Sequence, residues 1–181
     1  MRLYHSRFYC VYNLIAICLL SAISFMSGCV SKGATQVYQP PSKAFRNYKI
    51  LAVEITSQVD NVEEVLVQLE NSIIGKIRDR HLFDSTYATS VSPEKKADLK
   101  LTVTVTNIRK VGSTTRLLLG AFAGQGSLQT NVELTDVRKR NLIARAKAEG
   151  KTSGGVAWAG TTPQAVERVA EQVADFVAKH H

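Results

Sequence analysis

Cysteine is missing from most of this chain. The 181 residues include only Cys10, Cys18 and Cys29, all within the first 29 positions. Thiol catalysis, redox chemistry and cysteine-ligated zinc sites are therefore excluded for the remaining residues. That part of the chain also has to fold without disulfides, which a length of about 150 residues permits because a chain of this size buries a substantial core.

A recognisable catalytic constellation is missing as well. His81 is the only histidine between residue 6 and the terminal pair His180-His181, and no carboxylate or nucleophile is evident beside it. Gly120, Gly124 and Gly126 are not followed by Gly-Lys-Ser/Thr, so they do not form a P-loop. We therefore expect a protein that is not an enzyme and that has no cofactor and no metal site. A hydrolase that uses His81 and Ser92 is the less favoured alternative.

Basic residues exceed acidic ones, and the formal net charge is +8. Lysine, arginine and acidic residues are interspersed along the chain, which is not the pattern of a nucleic-acid-binding tail. Two interpretations stay open, an attraction to an anionic lipid leaflet and an ordinary solvated surface. No nucleic-acid partner is expected.

The first 29 residues have the pattern of a lipoprotein leader. Arg2 and Arg7 precede an apolar run that is too short to span a bilayer, and Met26, Ser27 and Gly28 stand directly before Cys29. This stretch resembles a bacterial lipobox, in which Cys29 receives the lipid and the leader is removed. Cleavage there removes two arginines and no acidic residue, so the mature charge is +6.

The resemblance to a lipoprotein also implies a location. Fully processed lipoproteins carry acyl chains on both the sulfur and the amine of the cysteine, and several chains together anchor stably. Val30, in place of aspartate, implies the outer membrane with the domain facing the periplasm. Ser31 and Lys32 leave retention in the inner membrane open. The predicted division is a signal peptide (1–28), a lipidated tether (29–47) and one domain (48–181).

The domain has the sequence pattern of an α+β fold. Residues 48–55 form an apolar, β-rich run, and residues 61–80 have helical spacing after Asp60, a predicted N-cap. A short strand at 85–90 precedes three strands at 98–109, 128–135 and 142–150, and Thr162-Pro163 begins the last helix. The prediction is a mostly antiparallel sheet, in the order strand, helix, short strand, three-strand meander, helix, with both helices on one face.

The other face of this sheet is predicted to be open and polar. Apolar and polar residues alternate in the meander strands, most clearly from Leu99 to Thr106, as in a strand with one buried and one solvated face. The outward set includes Lys100, Thr102, Thr104, Asn131, Arg145 and Lys147.

The connection between the first two meander strands, residues 112–126, is longer than hairpin loops usually are. Its composition is apolar and glycine-rich, unlike that of a disordered segment. It is the candidate interaction loop, and its key residues are Arg116, Leu117, Leu118, Leu119, Gly120, Phe122 and Gly124. A buried flap over the core, a membrane-dipping tip and a self-association surface all fit this composition.

Several stretches together resemble known lipoproteins. They are Lys49–Ile55, Leu82-Phe83, Ala97–Leu101, Arg116–Gly124, Val132–Asp136, Gly150–Gly155 and the closing helix. The chain resembles small envelope lipoproteins with a TolB N-terminal-like domain, a group that includes an activator of peptidoglycan synthases and the curli secretion lipoprotein. It resembles more closely the uncharacterised family called domain of unknown function 4410. The likeness implies the fold and does not specify an activity, and Arg138-Lys139-Arg140 departs from the glycine usual in that turn.

Two functional hypotheses follow. In the first, the protein is a lipid-anchored periplasmic accessory module without enzymatic activity, which contacts an envelope protein or the cell wall through the open face or the loop. In the second, it is a homo-oligomeric, membrane-associated assembly or secretion subunit that uses the apolar loop at 116–126.

Overall fold

The computed structural model describes residues 35–41, 47–92, 96–109, 126–152 and 162–181, all within the unit Ser31–His181. These ranges form six strands and two helices. In chain order they are β1 (Thr35–Gln39), β2 (Ile50–Ser57), α1 (Glu63–Asp79), β3 (Ser85–Ala88), β4 (Leu99–Arg109), β5 (Ser127–Asp136), β6 (Asn141–Lys151) and α2 (Thr162–His180). The α+β class predicted from the sequence is confirmed.

The strands form one sheet in the order β1-β6-β5-β4-β2-β3. β4, β5 and β6 are the predicted antiparallel meander, and β1 pairs antiparallel with β6. β2 lies parallel to both β3 and β4. A parallel pair needs a crossover connection, and α1 supplies it between β2 and β3.

Both helices pack on one face of the sheet. α1 contacts β2 and β3, and α2 contacts β5, β6 and β1. Beneath them the alternate β4 residues Leu99, Leu101, Val103 and Val105 are fully buried, whereas the residues between them are half-exposed. The period of two in the sequence therefore selects which face forms the core.

Small residues in β6 allow α2 to approach the sheet closely. Ala144, Ala146 and Ala148 are buried, as expected for a strand under a closely packed helix. At Gly150 the approach leaves no room for a side chain, because a Cβ there would lie 2.2 Å from the carbonyl oxygen of Ala165 in α2.

An ion-pair ladder joins the two helices on their solvent side. Lys76 contacts Glu167 at 3.1 Å and Glu171 at 3.0 Å, and Arg80 contacts Glu171 and Asp175, both at 2.6 Å. Arg80 lies four residues after Lys76 on α1, and its partners lie four residues after those of Lys76 on α2. The two helices therefore run in the same direction. The hydrogen bonds that Lys76 donates, above all the one to Glu171, raise the pKa of Lys76. The same bond is the largest cause that lowers the pKa of Glu171.

The structure differs from the sequence prediction at the start of the domain. Thr35–Gln39, which the sequence analysis assigns to the lipidated tether (29–47), forms β1 and pairs with β6 from Ala148 to Arg145. The sheet therefore has a sixth strand, and the folded domain includes part of the predicted tether. The sequence signal is weak because an edge strand has only one partner strand and four of these five side chains are exposed.

Two local predictions are also wrong. Asp60 is not the N-cap of α1, since Val62 occupies that position and no side chain caps the helix. Regular alternation in β6 predicts that Leu142 shares the core face with Ala144, Ala146 and Ala148. The register instead shifts between Leu134 and Thr135 on the neighbouring strand, and Ile143 packs against the core.

Candidate functional site

The sheet face opposite the helices is the main candidate surface. Lys100, Thr102, Thr104, Asn131, Arg145 and Lys147, predicted to point outward, all lie on this face and are half or fully exposed. No element in the described ranges covers its central part. We call this surface the open face.

Charges on the open face are matched in pairs across neighbouring strands. Lys100 contacts Glu54 at 2.9 Å, and Arg145 contacts Glu133 at 2.9 Å. Each of these four side chains is between one third and about one half exposed. The charges of Lys100 and Arg145 are therefore locally neutralised, because cross-strand neighbours of opposite sign compensate one another.

The same compensation extends toward the end of β6. Glu149 accepts a hydrogen bond from the Gln129 amide at 2.8 Å and pairs with Lys151 at 3.2 Å. The Gln129 bond is the largest influence on the Glu149 pKa, and together with Lys151 it lowers that pKa despite partial burial. Between the charges, the hydroxyls of Thr56 and Thr104 hydrogen-bond at 2.9 Å.

A cavity of about 600 Å³ lies at the end of the open face where β2 and β4 begin. We call it the Tyr87 cavity. Its lining includes Ala52, Tyr87, Lys96, Asp98, Lys100 and Arg138. Ala52 and Tyr87 point to the open face yet are only 4% and 7% exposed, so this end of the face is partly roofed.

Asp98 is the buried polar anchor beside this cavity. Its Oδ2 accepts hydrogen bonds from the backbone N–H groups of Lys49 at 3.0 Å and Ile50 at 3.2 Å, and its Oδ1 accepts one from Arg138. Burial raises the pKa of Asp98, but the hydrogen bonds from Lys49, Arg138 and Ile50 outweigh it, so the pKa lies below its usual value. The carboxylate thus joins the starts of β2 and β4 to the β5–β6 turn.

A second buried aspartate, Asp136, organises that turn. Its Oδ1 accepts the backbone N–H of Lys139 at 2.9 Å, and its Oδ2 accepts the Tyr48 hydroxyl at 2.7 Å. The Lys139 bond is the main cause that lowers the Asp136 pKa. Burial, followed by the bond to Asp136, raises the pKa of Tyr48 to about 12.

The β5–β6 turn projects basic side chains. Arg138 and Lys139 are more than three quarters exposed, and Arg140 has a φ of 54°. Asn141 begins β6 directly afterwards, so a left-handed residue closes the turn without glycine. The departure noted at Arg138-Lys139-Arg140 is thus accommodated by the backbone and by the Asp136 side chain.

The remaining candidate residues are those of the lipobox, those of the interaction loop and His81. The lipobox residues Met26, Ser27, Gly28 and Cys29, and residues 116–125 of the candidate interaction loop, lie outside the described residues. His81 is exposed just after α1, with a φ of 52°, and its backbone N–H donates a hydrogen bond to the backbone carbonyl oxygen of Arg78.

In the described part of the chain, no group of three or more histidine, cysteine, aspartate or glutamate side chains is arranged to hold a metal ion. None of its helices combines the length and apolarity needed to cross a membrane.

Sequence reasoning missed the aspartate network and the Tyr87 cavity. Asp98 and Asp136 each stand at the end of an alternating strand, which is the signal that could have identified them as strand-end anchors. The partners Tyr48 and Asp136 are 88 positions apart, so only the sheet brings them together.

A family model described as "Domain of unknown function (DUF4410)" matches residues 32–174. Among curated proteins, none matches the chain.

The solved structures with a TM-score above 0.5 share the fold at low sequence identity. The PelC dodecamer from Paraburkholderia phytofirmans is 18% identical, with a TM-score of 0.55 over 80% of this chain and 96% of that chain. A variant of that dodecamer gives the same coverage and TM-score at 17% identity. A Xanthomonas campestris protein of the DUF330 family is 14% identical, with a TM-score of 0.48 over 77% of this chain and 87% of that chain.

Proposed function

This chain belongs to the DUF4410 family, and from that premise we propose that it is a lipid-anchored accessory module that works by binding an envelope partner and not by catalysis. The observation that carries the proposal is the open face, where a sheet covered by helices on one side presents paired charges and threonines on the other. A surface of this kind is suited to a protein partner, because each paired charge keeps a neighbour of opposite sign when binding removes the surrounding water.

The size of the open face is suited to such an interface. The six strands span roughly 24 Å at about 4.8 Å per strand spacing, and β4 is roughly 35 Å long at about 3.4 Å per residue. A standard protein interface covers about 800 Å² on each partner. The open face is therefore of the right order for one specific protein contact.

In-cell photocrosslinking tests this proposal. A photoreactive phenylalanine analogue placed at Thr104 or Asn131 should form an adduct with one partner, because both positions are on the open face. Val67 is the matched control, since it is 59% exposed on α1, on the helical side. Equal amounts of adduct from Val67, or no adduct from Thr104 and Asn131, would contradict the assignment of the open face as the binding surface.

Lipidation at Cys29 is the anchoring part of the proposal. Its support is the lipobox pattern Met26-Ser27-Gly28-Cys29 after a short apolar run. Cys29→Ala should abolish labelling with an alkyne-tagged palmitate and release the protein from membranes, whereas Cys18→Ala, in the leader, should leave both unchanged. Separation of the inner and outer membranes tests the expected outer-membrane location, and labelling that persists in Cys29→Ala contradicts the anchor.

The absence of catalysis is also open to test. Complementation of a deletion strain by His81→Ala and Ser92→Ala should equal that by the wild type, because the structure leaves His81 exposed after α1 and half-buries Ser92 in the turn after β3. Loss of function in either variant, at normal protein abundance, would favour the hydrolase alternative.

Self-assembly is the second candidate function. The PelC structures that share the fold are dodecamers. In this chain β1 forms a sheet edge, on which Val37 is 38% and Tyr38 is 55% exposed, and exposed edges favour strand pairing. The apolar loop 116–126 is the other proposed contact.

Native mass spectrometry in detergent separates the two candidates. An oligomer of several copies that dissociates on Tyr38→Lys or on deletion of residues 117–123 supports assembly, with each variant identifying its own contact. A strictly monomeric protein contradicts it.

A further inference from the structure

The Tyr87 cavity has the size and the mixed lining of a small-molecule site. Its volume of about 600 Å³ lies within the range of roughly 300–1,000 Å³ that is common for such sites. Ala52 and Val137 contribute aliphatic surface, and Tyr87 contributes an aromatic ring that is almost completely buried. Such surface can receive the apolar part of a ligand.

The charges that line the cavity are not balanced. Lys96, Lys100 and Arg138 face a single acid, Asp98. Both oxygens of Asp98 already accept hydrogen bonds, from two backbone N–H groups and from Arg138, so this acid has little remaining capacity for the lysines. Glu54 is not part of the lining but pairs with Lys100 at 2.9 Å. With both acids counted, the cavity has an excess of one positive charge, which is that of Lys96.

Each cation also retains donor capacity. Lys100 pairs with Glu54 through one contact, although an ammonium has three N–H donors. Arg138 contacts Asp98 through one Nη2, although a guanidinium has five N–H donors. Within the described ranges, Lys96 has no ion pair and is exposed. These donors can be satisfied together by an oxyanion, which forms charge-assisted hydrogen bonds with lysine and arginine.

We propose that the Tyr87 cavity binds a small organic anion, whose carboxylate or phosphate contacts Lys96, Lys100 and Arg138 and whose apolar part lies on Tyr87 and Ala52. This inference goes beyond the proposed function and does not rest on it. A protein partner on the open face and a small anion in the cavity can each be present without the other.

The test is titration calorimetry on the full-length protein in nanodiscs, with empty nanodiscs as the blank. Four probes separate the contributions: benzoate and phenyl phosphate combine charge with a ring, benzamide has the ring without the charge, and inorganic phosphate has the charge without the ring. Benzoate or phenyl phosphate should bind at least tenfold more tightly than benzamide and than inorganic phosphate. The better of the two identifies carboxylate or phosphate as the preferred group.

A pair of variants locates the binding. Lys96→Gln removes one lining cation and should weaken benzoate and phenyl phosphate binding on the order of tenfold, the effect of one charge-assisted hydrogen bond. Lys139→Gln is the matched control, since Lys139 lies on the same turn as Arg138, has the same charge and does not line the cavity. Thermal unfolding of both variants verifies that each is folded.

Three results would overturn the inference. The first is benzamide or inorganic phosphate binding as tightly as the aromatic anions. The second is an equal loss of affinity in Lys96→Gln and Lys139→Gln, which would indicate attraction to the general positive field. The third is no binding of any probe at millimolar concentration. None of these depends on an envelope partner, so failure here is distinct from failure of the photocrosslinking.

Discussion

Gly150→Ala is expected to destabilise this protein strongly, although it adds one methyl group. Gly150 lies in β6 directly under the start of α2. The new Cβ would be 2.2 Å from the Ala165 carbonyl oxygen and 3.0 Å from a methyl group of Val169. Ordinary contacts of this kind are 3.4–4 Å, so helix and strand must separate by roughly 1 Å.

The size of the effect follows from what has to move. Inserting a methyl group into a packed core usually costs about 1–3 kcal/mol. Here the closest atom belongs to the backbone of a helix and cannot rotate away, so we expect about 3 kcal/mol, the upper end of that range. For a domain of this length, 1 kcal/mol corresponds to roughly 2–4 °C in Tm, and Tm should fall by about 6–12 °C.

Gly75→Ala is the matched control. Gly75 lies inside α1, and a Cβ there would meet nothing within 4 Å. Alanine is favoured over glycine in a helix interior by about 1 kcal/mol. The same chemical change should therefore raise Tm by about 2–4 °C at this position.

Thermal and urea unfolding followed by circular dichroism measure both variants. The reasoning requires opposite signs for the two substitutions, with the Gly150 variant much the larger in magnitude. A Gly150→Ala protein as stable as the wild type would refute it, because α2 would then not be held against β6 at the distance described.

Three further predictions concern hydrogen bonds and charges. Gln172→Leu should lower the free energy of unfolding by about 2–4 kcal/mol in urea titrations. The Gln172 side-chain amide hydrogen-bonds both the backbone N–H and the backbone C=O of Glu149, and the pairing of β1 with β6 does not extend to Glu149. An unchanged free energy of unfolding would contradict this role. Asp98→Asn should cost about 1–3 kcal/mol at pH 7. Because the pKa of Asp98 is lowered in the folded protein, its contribution to stability is present above the unfolded pKa of about 4 and is lost as pH falls through the folded pKa. The free energy of unfolding, measured from pH 6 to 2, should therefore depend less on pH in Asp98→Asn than in the wild type. An identical pH profile would count against this role of Asp98. Arg80→Ala should lower stability by no more than about 1 kcal/mol, with the difference reduced in 1 M salt, because its partners Glu171 and Asp175 are exposed; a larger, salt-independent loss would indicate a packing role.

Particular residues show how far the sequence was sufficient. Strict alternation of Leu99, Leu101, Val103 and Val105 with polar residues predicted both the strand and its buried face, because side chains in a strand point alternately to opposite sides. The apolar stripe of α1 predicted a helix in the same way. These signals are local, and they gave the α+β class and the identity of the open face.

The candidate site depended on contacts between distant parts of the chain. Lys100 and Arg145 were predicted on the open face, but their neutralisation by Glu54 and Glu133 follows from strand order and register. β1 was missed because Thr35–Gln39 has no clear apolar period, and its pairing with β6 makes it a strand.

By itself the sequence determined the lipobox pattern, the class of the fold and, except at the start of β6, which residues of the meander face the helices, because each of these is encoded within a few neighbouring positions. The tertiary structure alone decided that Asp98 joins Lys49 to Arg138, that Asp136 meets Tyr48, and that three cations surround the Tyr87 cavity. Such groupings arise from the order in which β2, β4 and the β5–β6 turn come together, and no local period records that order.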